Sequence, residues 1–205
     1  MRPATAADKA QVAQVVEARC VWLEERRQPS WRDAADDLVA QCDNPRGDVW
    51  VLVDDERGVV GQMLVQDVGP PWGWTDAERT EAALYLSGSI TAPDAPAVRG
   101  RRPGTVMAWW AVDRASRLGV PWVRRHCQVV AVARYNRTQG FELVREEQRT
   151  STRLYMMARR AERLDLSSWF GPLDAPGQER AGLEASDGRR ARQRLRRRRW
   201  GQPMS

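Results

Sequence analysis

The sequence predicts an α/β protein, with a mixed sheet that carries helices on both faces. Apolar residues recur at helical spacing in some segments, whereas shorter segments are rich in Val and Leu and alternate as strands do. The two kinds follow one another as helix, helix, hairpin, strand, helix, strand, helix and a strand pair. At 205 residues and 42% hydrophobic, the chain is long enough for one domain of about 150 residues and a tail.

The first third of the chain predicts two helices and a hairpin. Thr5 and Asp8 stand at the two positions of a capping box, and apolar residues then recur at helical spacing over residues 6–27. Ser30 is placed to cap a second helix over residues 31–42. The two strands of a hairpin follow at residues 48–53 and 59–65.

The middle of the chain predicts alternating strands and helices. Residues 83–91 alternate as a strand in which Gly88 marks a bulge, and a helix is expected over residues 104–118. The remaining elements are a strand at residues 121–127, a helix at 130–139 and two closing strands at 142–147 and 152–157.

Domain organisation follows from a change of composition near residue 160. Residues 1–160 read as one domain and residues 161–205 as an extension, disordered beyond about residue 175. Eight Arg and no acid lie within residues 189–205. Without these eight, 25 of the 33 basic residues remain against 27 acidic ones, so the net charge of the rest of the chain is close to −2. The tail Arg189–Arg199 either binds RNA, DNA or anionic lipid through phosphate charge, or is simply solvated.

Several classes of protein are disfavoured. No apolar run approaches the roughly 20 residues that a membrane span needs, and the first residues lack the apolar core of a signal peptide. Cys20, Cys42 and Cys127 fit neither a metal-ligand spacing nor a disulfide framework. A reducing cytoplasm is therefore the simplest compartment.

A turn rich in Arg and Gly precedes the central helix. Residues 99–105 read Arg-Gly-Arg-Arg-Pro-Gly-Thr, and the helix begins at about Gly104. A helix N-terminus offers unpaired N–H groups and partial positive charge, which together hold phosphate. With Arg99, Arg101 and Arg102 beside it, the turn predicts a nucleotide-like cofactor with a diphosphate; the alternative is a solvated basic loop.

The chain resembles the GNAT superfamily of N-acetyltransferases. The family's pyrophosphate loop, Gln/Arg-x-x-Gly-x-Gly/Ala, is matched by Arg101–Val106, with Val in place of the last small residue. The family's Tyr-x-x-x-Gly-Phe segment is represented by residues 135–141, which end in Gly140-Phe141. Element order extends the resemblance over about residues 1–158, with most of the family's first strand missing.

The resemblance implies transfer of an acetyl group from acetyl-CoA to a primary amine of a small molecule or peptide. N–H groups near Gly104 and Thr105, helped by Arg101 and Arg102, would hold the diphosphate. The strand ending near Ile90 would run beside the pantetheine arm. The sheet would be mostly antiparallel and splayed at its centre, where the strand at residues 121–127 parts from it.

The chain departs from the family where a Tyr usually protonates the leaving thiolate. Asn136 stands at that position, and Val129 replaces the Asn that begins the helix. Tyr135 is the candidate acid, although a shift of one residue turns a helical side chain by about 100°. The alternative function is therefore a degenerate, non-catalytic acyl-CoA-binding or partner-binding module whose basic tail binds nucleic acid.

Other residues have two interpretations each. His126 is either a general base or a structural His, and Cys127 is either a nucleophile or an ordinary buried Cys. Trp72 and Trp74 either line an acceptor pocket or form a lid over the core. The sequence leaves open the acceptor, the general base and the oligomeric state, for which a homodimer is one possibility.

Overall fold

A computed structural model describes residues 1–43, 48–97 and 99–170. The expectations for the Arg-rich tail lie outside these residues. Within them, no helix combines the length and the apolar character needed to cross a membrane.

The core of the fold is one seven-stranded sheet. Its strand order is β1-β2-β3-β4-β5-β7-β6, and all neighbours are antiparallel except β4 and β5, which are parallel. The strands are β1 (Arg2–Pro3), β2 (Val49–Asp54), β3 (Gly58–Gln66), β4 (Ala83–Thr91), β5 (Trp122–Cys127), β6 (Glu142–Arg149) and β7 (Thr152–Arg160).

Helices cover both faces of the sheet, which confirms the predicted α/β class. The described α-helices are α1 (Lys9–Glu25), α2 (Ala35–Ala40), α3 (Asp76–Thr80), α4 (Pro103–Arg117), α5 (Val130–Thr138) and α6 (Ser167–Phe170). The second predicted helix is α-helical only in its middle, because 3-10 turns occupy Arg32–Ala34 and Gln41–Asp43.

Two apolar clusters lie on opposite faces of the middle of the sheet. Val12, Val16 and Cys20 of α1 pack against Val51 and Ile90. On the other face, residues of α4 and α5 pack with alternate residues of the strands and with Phe141. We call these the α1 face and the α4 face.

The parallel pair β4–β5 opens partway along its length. Ala83 lies opposite Trp122 and Leu86 lies opposite Arg125. Beyond Leu86 and Arg125 the two strands are not paired. Gly88 has a φ of +53°, and the β3–β4 register shifts between Gln62 and Leu64. Because a bulge adds a residue and bends the strand, it turns β4 away from β5. The predicted central splay is thus present.

The segment after β7 returns to the α4 face. Trp169 packs edge-on to Trp109 of α4, with ring centroids 5.8 Å apart. The buried carboxylate of Asp113 accepts the Leu164 N–H at 3.1 Å and pairs with Arg117 and Arg163. Residues 161–170 are therefore fastened to α4.

Candidate functional site

The N-terminus of α4 lies at the end of the sheet where β4 leads into the helix. Arg102 is the N-cap and Pro103 occupies the first helical position, where its missing N–H costs no hydrogen bond. The N–H groups of Thr105 and Val106 both donate to the Arg102 carbonyl, at 2.9 and 3.3 Å. In the described part of the chain the Gly104 N–H has no acceptor. One backbone donor is therefore free to bind an anion.

The phenol of Tyr135 closes over this helix start. Its hydroxyl lies 3.0 Å from Thr105 Oγ1. A Cβ on Gly104 would lie 3.0 Å from the same hydroxyl, tighter than ordinary contact. Gly104 therefore leaves the space that the tyrosine needs, and the hydroxyl becomes a second polar group at the predicted diphosphate position.

Arginine side chains surround the same corner. The Arg101 guanidinium lies over the Trp109 ring, 5.3 Å from its centroid. From α1, Arg19 donates to the carbonyl and hydroxyl of Thr91, each at 2.9 Å. Burial, and then the charges of nearby arginines that include Arg102, lower the pKa of Arg19. The corner is therefore electropositive and suited to an anionic ligand.

Three buried polar atoms around the open end of β4 and β5 lack partners among the described residues. They are Ser89 Oγ, Arg125 Nε and Asn136 Oδ1. Ile90 packs on the α1 face, so strand alternation places Ser89 on the α4 face. Only the backbone of Ile90, whose side chain is 2% exposed, could then line the opening. Buried groups without partners are rare and mark a place for an absent polar ligand or water.

Asn136 and Tyr135 point in different directions from α5. The Asn136 Nδ2 faces the sheet, 3.8 Å from Cys127 Sγ and 3.6 Å from Met157 Sδ. Tyr135 turns toward α4 instead, as the change of one helical position requires.

Burial raises the pKa of Cys127, which disfavours the thiolate that a nucleophile needs.

On the α1 side of the sheet, Tyr85 and His126 form a pair. Tyr85 Oη lies 2.5 Å from His126 Nδ1, and the ring of Trp72 meets the imidazole edge-on at 4.9 Å. Burial, and then the charges of Arg125 and Arg149, lower the pKa of His126 to about 4. Burial raises the pKa of Tyr85. Both side chains are therefore neutral near pH 7.

The loop that carries Trp72 and Trp74 is fastened to the sheet. Trp74 is buried against Tyr85, whereas Trp72 is half-buried. Glu78 of α3 caps its own helix at Thr75 and pairs with Arg145 of β6 at 2.6 Å. Trp74 therefore covers the core, as the lid interpretation expects. That Trp72 lines an acceptor pocket stays a prediction; its ring contacts His126, next to the point where β4 and β5 part.

Several of these residues belong to no motif that is visible in the sequence. Arg19, Ser89, Arg125 and Arg149 come from four separate elements, and no local motif links them. The sequence did single out Arg101, Arg102, Gly104, Thr105 and Tyr135. The structure brings these together at one corner, and it brings His126 and Trp72 together at another.

No family model and no curated protein matches the sequence. Solved structures do match the fold. A GNAT-family acetyltransferase from Listeria monocytogenes has a TM-score of 0.60 and 16% identity, covering 78% of this chain and 92% of its own. A proposed acetyltransferase from Salmonella typhimurium, solved with its cofactor acetyl-CoA, has a TM-score of 0.52 and 18% identity, covering 80% and 94%. An agmatine N-acetyltransferase variant has a TM-score of 0.51 and 15% identity, covering 78% and 97%.

These likenesses define the class of the fold. The chain has the fold of the GNAT-family acetyltransferases, as the order of its elements predicted.

Proposed function

We propose that the protein is an N-acetyltransferase that moves an acetyl group from acetyl-CoA to a primary amine of a small molecule or peptide. The observation that carries the proposal is the opening between β4 and β5, beside which buried polar atoms have no partner in the described part of the chain. At the start of α4, the Gly104 N–H likewise has no acceptor among the described residues. Structural neighbours of the same fold include one solved with acetyl-CoA and one that is an agmatine N-acetyltransferase.

The residues present fit the chemistry of coenzyme A. Its pantetheine arm carries two amides, and Ser89 Oγ, Arg125 Nε and Asn136 Oδ1 are buried groups that such amides could satisfy. Its diphosphate would meet the Gly104 N–H, the Tyr135 hydroxyl and the side chains of Arg101 and Arg102.

The bound thioester supplies an activated acetyl carbonyl. A neutral amine nitrogen forms a C–N bond to that carbon, the C–S bond breaks, and the proton lost by nitrogen ends on sulfur. The chain must therefore keep the amine neutral and lower the cost of the departing thiolate. The positive charge of Arg125 favours a thiolate beside β5. Tyr135 as the acid is the alternative to its contact with the diphosphate, because the pantetheine arm separates the diphosphate from the sulfur.

Calorimetric titration with acetyl-CoA, followed by a thiol-release assay with a panel of amines, tests this function. We expect binding at micromolar concentration and amine-dependent release of free thiol. No binding at high micromolar acetyl-CoA would remove the proposal.

A second candidate function is an acyl-CoA-binding module without turnover. Asn136, which has no proton to give as an acid, supports it, because that is where the family places its tyrosine. This candidate predicts tight acetyl-CoA binding with no thiol release for any amine. Its proposed link to nucleic acid through Arg189–Arg199 predicts that deletion of residues 176–205 lowers salt-sensitive retention on heparin. Unchanged retention would refute that link.

A further inference from the structure

Arg149 is an exposed guanidinium with no acidic partner among the described residues. Other arginines near the same sheet edge are paired: Arg145 with Glu78, and Arg153 with Glu146. Arg149 instead lies over the ring of Trp72, 4.5 Å from its centroid. A stacked guanidinium loses less freedom on binding and keeps its N–H edge for an oxyanion.

The position of this side chain connects it to the proposed reaction site. Trp72 contacts His126 edge-on, and His126 follows Arg125, the last β5 residue that pairs with β4. Arg149, Trp72 and His126 therefore form a row from the surface to the open end of the strands. The row lies on the face opposite α4, where the proposed cofactor arm does not lie, so an acceptor would approach along it.

The charges along this row are positive. Within the described residues, the charges of Arg125 and Arg149 act on His126, and both disfavour its protonation. A second cation bound here would meet the same repulsion, whereas an anion would be attracted. The field that keeps His126 neutral would also ease loss of a proton from a bound ammonium group, which acetyl transfer needs.

We propose that Arg149 is a specificity-determining residue that binds a carboxylate on the acceptor, so that the acceptor is an amine that also carries an acid. This inference rests on the proposed acetyltransferase function. Trp72 holds the guanidinium in place, and a carboxylate fits its paired N–H groups in bidentate fashion. Amines whose only other charge is positive are poor acceptors.

Matched amino acids and their decarboxylated amines test the inference: arginine with agmatine, tryptophan with tryptamine, and phenylalanine with phenethylamine. The thiol-release assay gives kcat/KM for each. For the productive pairs we expect the amino acid to be favoured about ten- to a hundredfold. Arg149→Ala should abolish that preference by lowering kcat/KM for the amino acid alone, and Arg149→Lys should restore part of it.

Arg153→Ala, which alters a paired arginine of the same hairpin, is the control and should leave the preference intact. Equal or greater kcat/KM for the decarboxylated amines would overturn the inference while leaving the acetyltransferase function standing. The same conclusion would follow if Arg149→Ala left the preference unchanged. Turnover with other amines but with neither member of any pair would also overturn the inference and leave the acetyltransferase function standing. Only failure to bind acetyl-CoA, with no thiol release for any amine of the panel, would remove the proposed function as well.

Discussion

The Tyr135 hydroxyl lies 3.0 Å from Thr105 Oγ1, over the first turn of α4. It is therefore beside the N–H of Gly104, where a diphosphate is proposed to bind. This position favours contact with phosphate, whereas the sequence predicted that Tyr135 protonates the thiolate. That role stays a prediction, and kinetics can separate the two.

Tyr135→Phe should raise KM for acetyl-CoA about three- to tenfold and leave kcat nearly unchanged, because one hydrogen bond to the bound cosubstrate is lost. Steady-state kinetics at saturating amine measures both constants. A fall in kcat with loss of the alkaline limb of the pH profile would instead assign the tyrosine to proton transfer.

Gly104→Ala should weaken acetyl-CoA binding by about tenfold or more, because the new Cβ displaces the Tyr135 hydroxyl and crowds the free N–H. Calorimetric titration measures the affinity. In Gly104→Ala combined with Tyr135→Phe, the nearest contact becomes a ring carbon at 3.5 Å, an ordinary distance. The double variant should therefore bind better than Gly104→Ala alone. Additive losses would show that the two positions do not interact.

His126→Gln should have a lower free energy of unfolding than the wild type near pH 7. The difference between the two free energies should become smaller as the pH falls. The pKa of His126 is about 4 in the fold, below its value of 6.5 in the unfolded chain. The wild type therefore loses stability as the pH falls below the unfolded pKa, and the glutamine variant lacks that loss. Urea unfolding at several pH values should show the gap shrinking by about 2 kcal/mol by about pH 4.5. Parallel pH profiles would contradict the assignment.

Asp113→Ala should lower the free energy of unfolding by about 3 kcal/mol, because it strips a buried acceptor from Arg117, Arg163 and the Leu164 N–H. Urea unfolding measures the loss, and proteolysis should become faster within residues 161–170. Asp55→Ala in the exposed hairpin turn is the control, with an expected change below about 0.5 kcal/mol. Equal stability of the two variants would mean that the anchor to α4 contributes little.

Much of the fold was predictable because its elements are defined locally. The capping box at Thr5, the bulge at Gly88 and the start of the central helix each depend on residues close in sequence, and the structure has all three. The second helix was overestimated because periodicity does not separate 3-10 turns from α-helix. The prediction that residue 135 differs in direction from residue 136 followed from helical geometry.

On the proposed acceptor side, the sequence singled out Trp72 and His126 but could not predict their contacts, because these join distant parts of the chain. Trp72, Tyr85, His126 and Arg149 meet through a loop, two central strands and an edge strand. Nothing near any one of them marks the others. Their arrangement depends on the register of β4 with β5 and on the Glu78–Arg145 pair that fastens the loop.

The anchoring of residues 161–170 determines where attachments to the chain would lie. Because Trp169 packs on Trp109, the last described residues sit on the outer side of α4, across the sheet from Trp72 and Arg149. A fluorophore attached at Ser168 would report on events at α4, where the cosubstrate is proposed to bind, while leaving the proposed acceptor side uncovered. The label would thus respond to binding of the thioester without obstructing the amine.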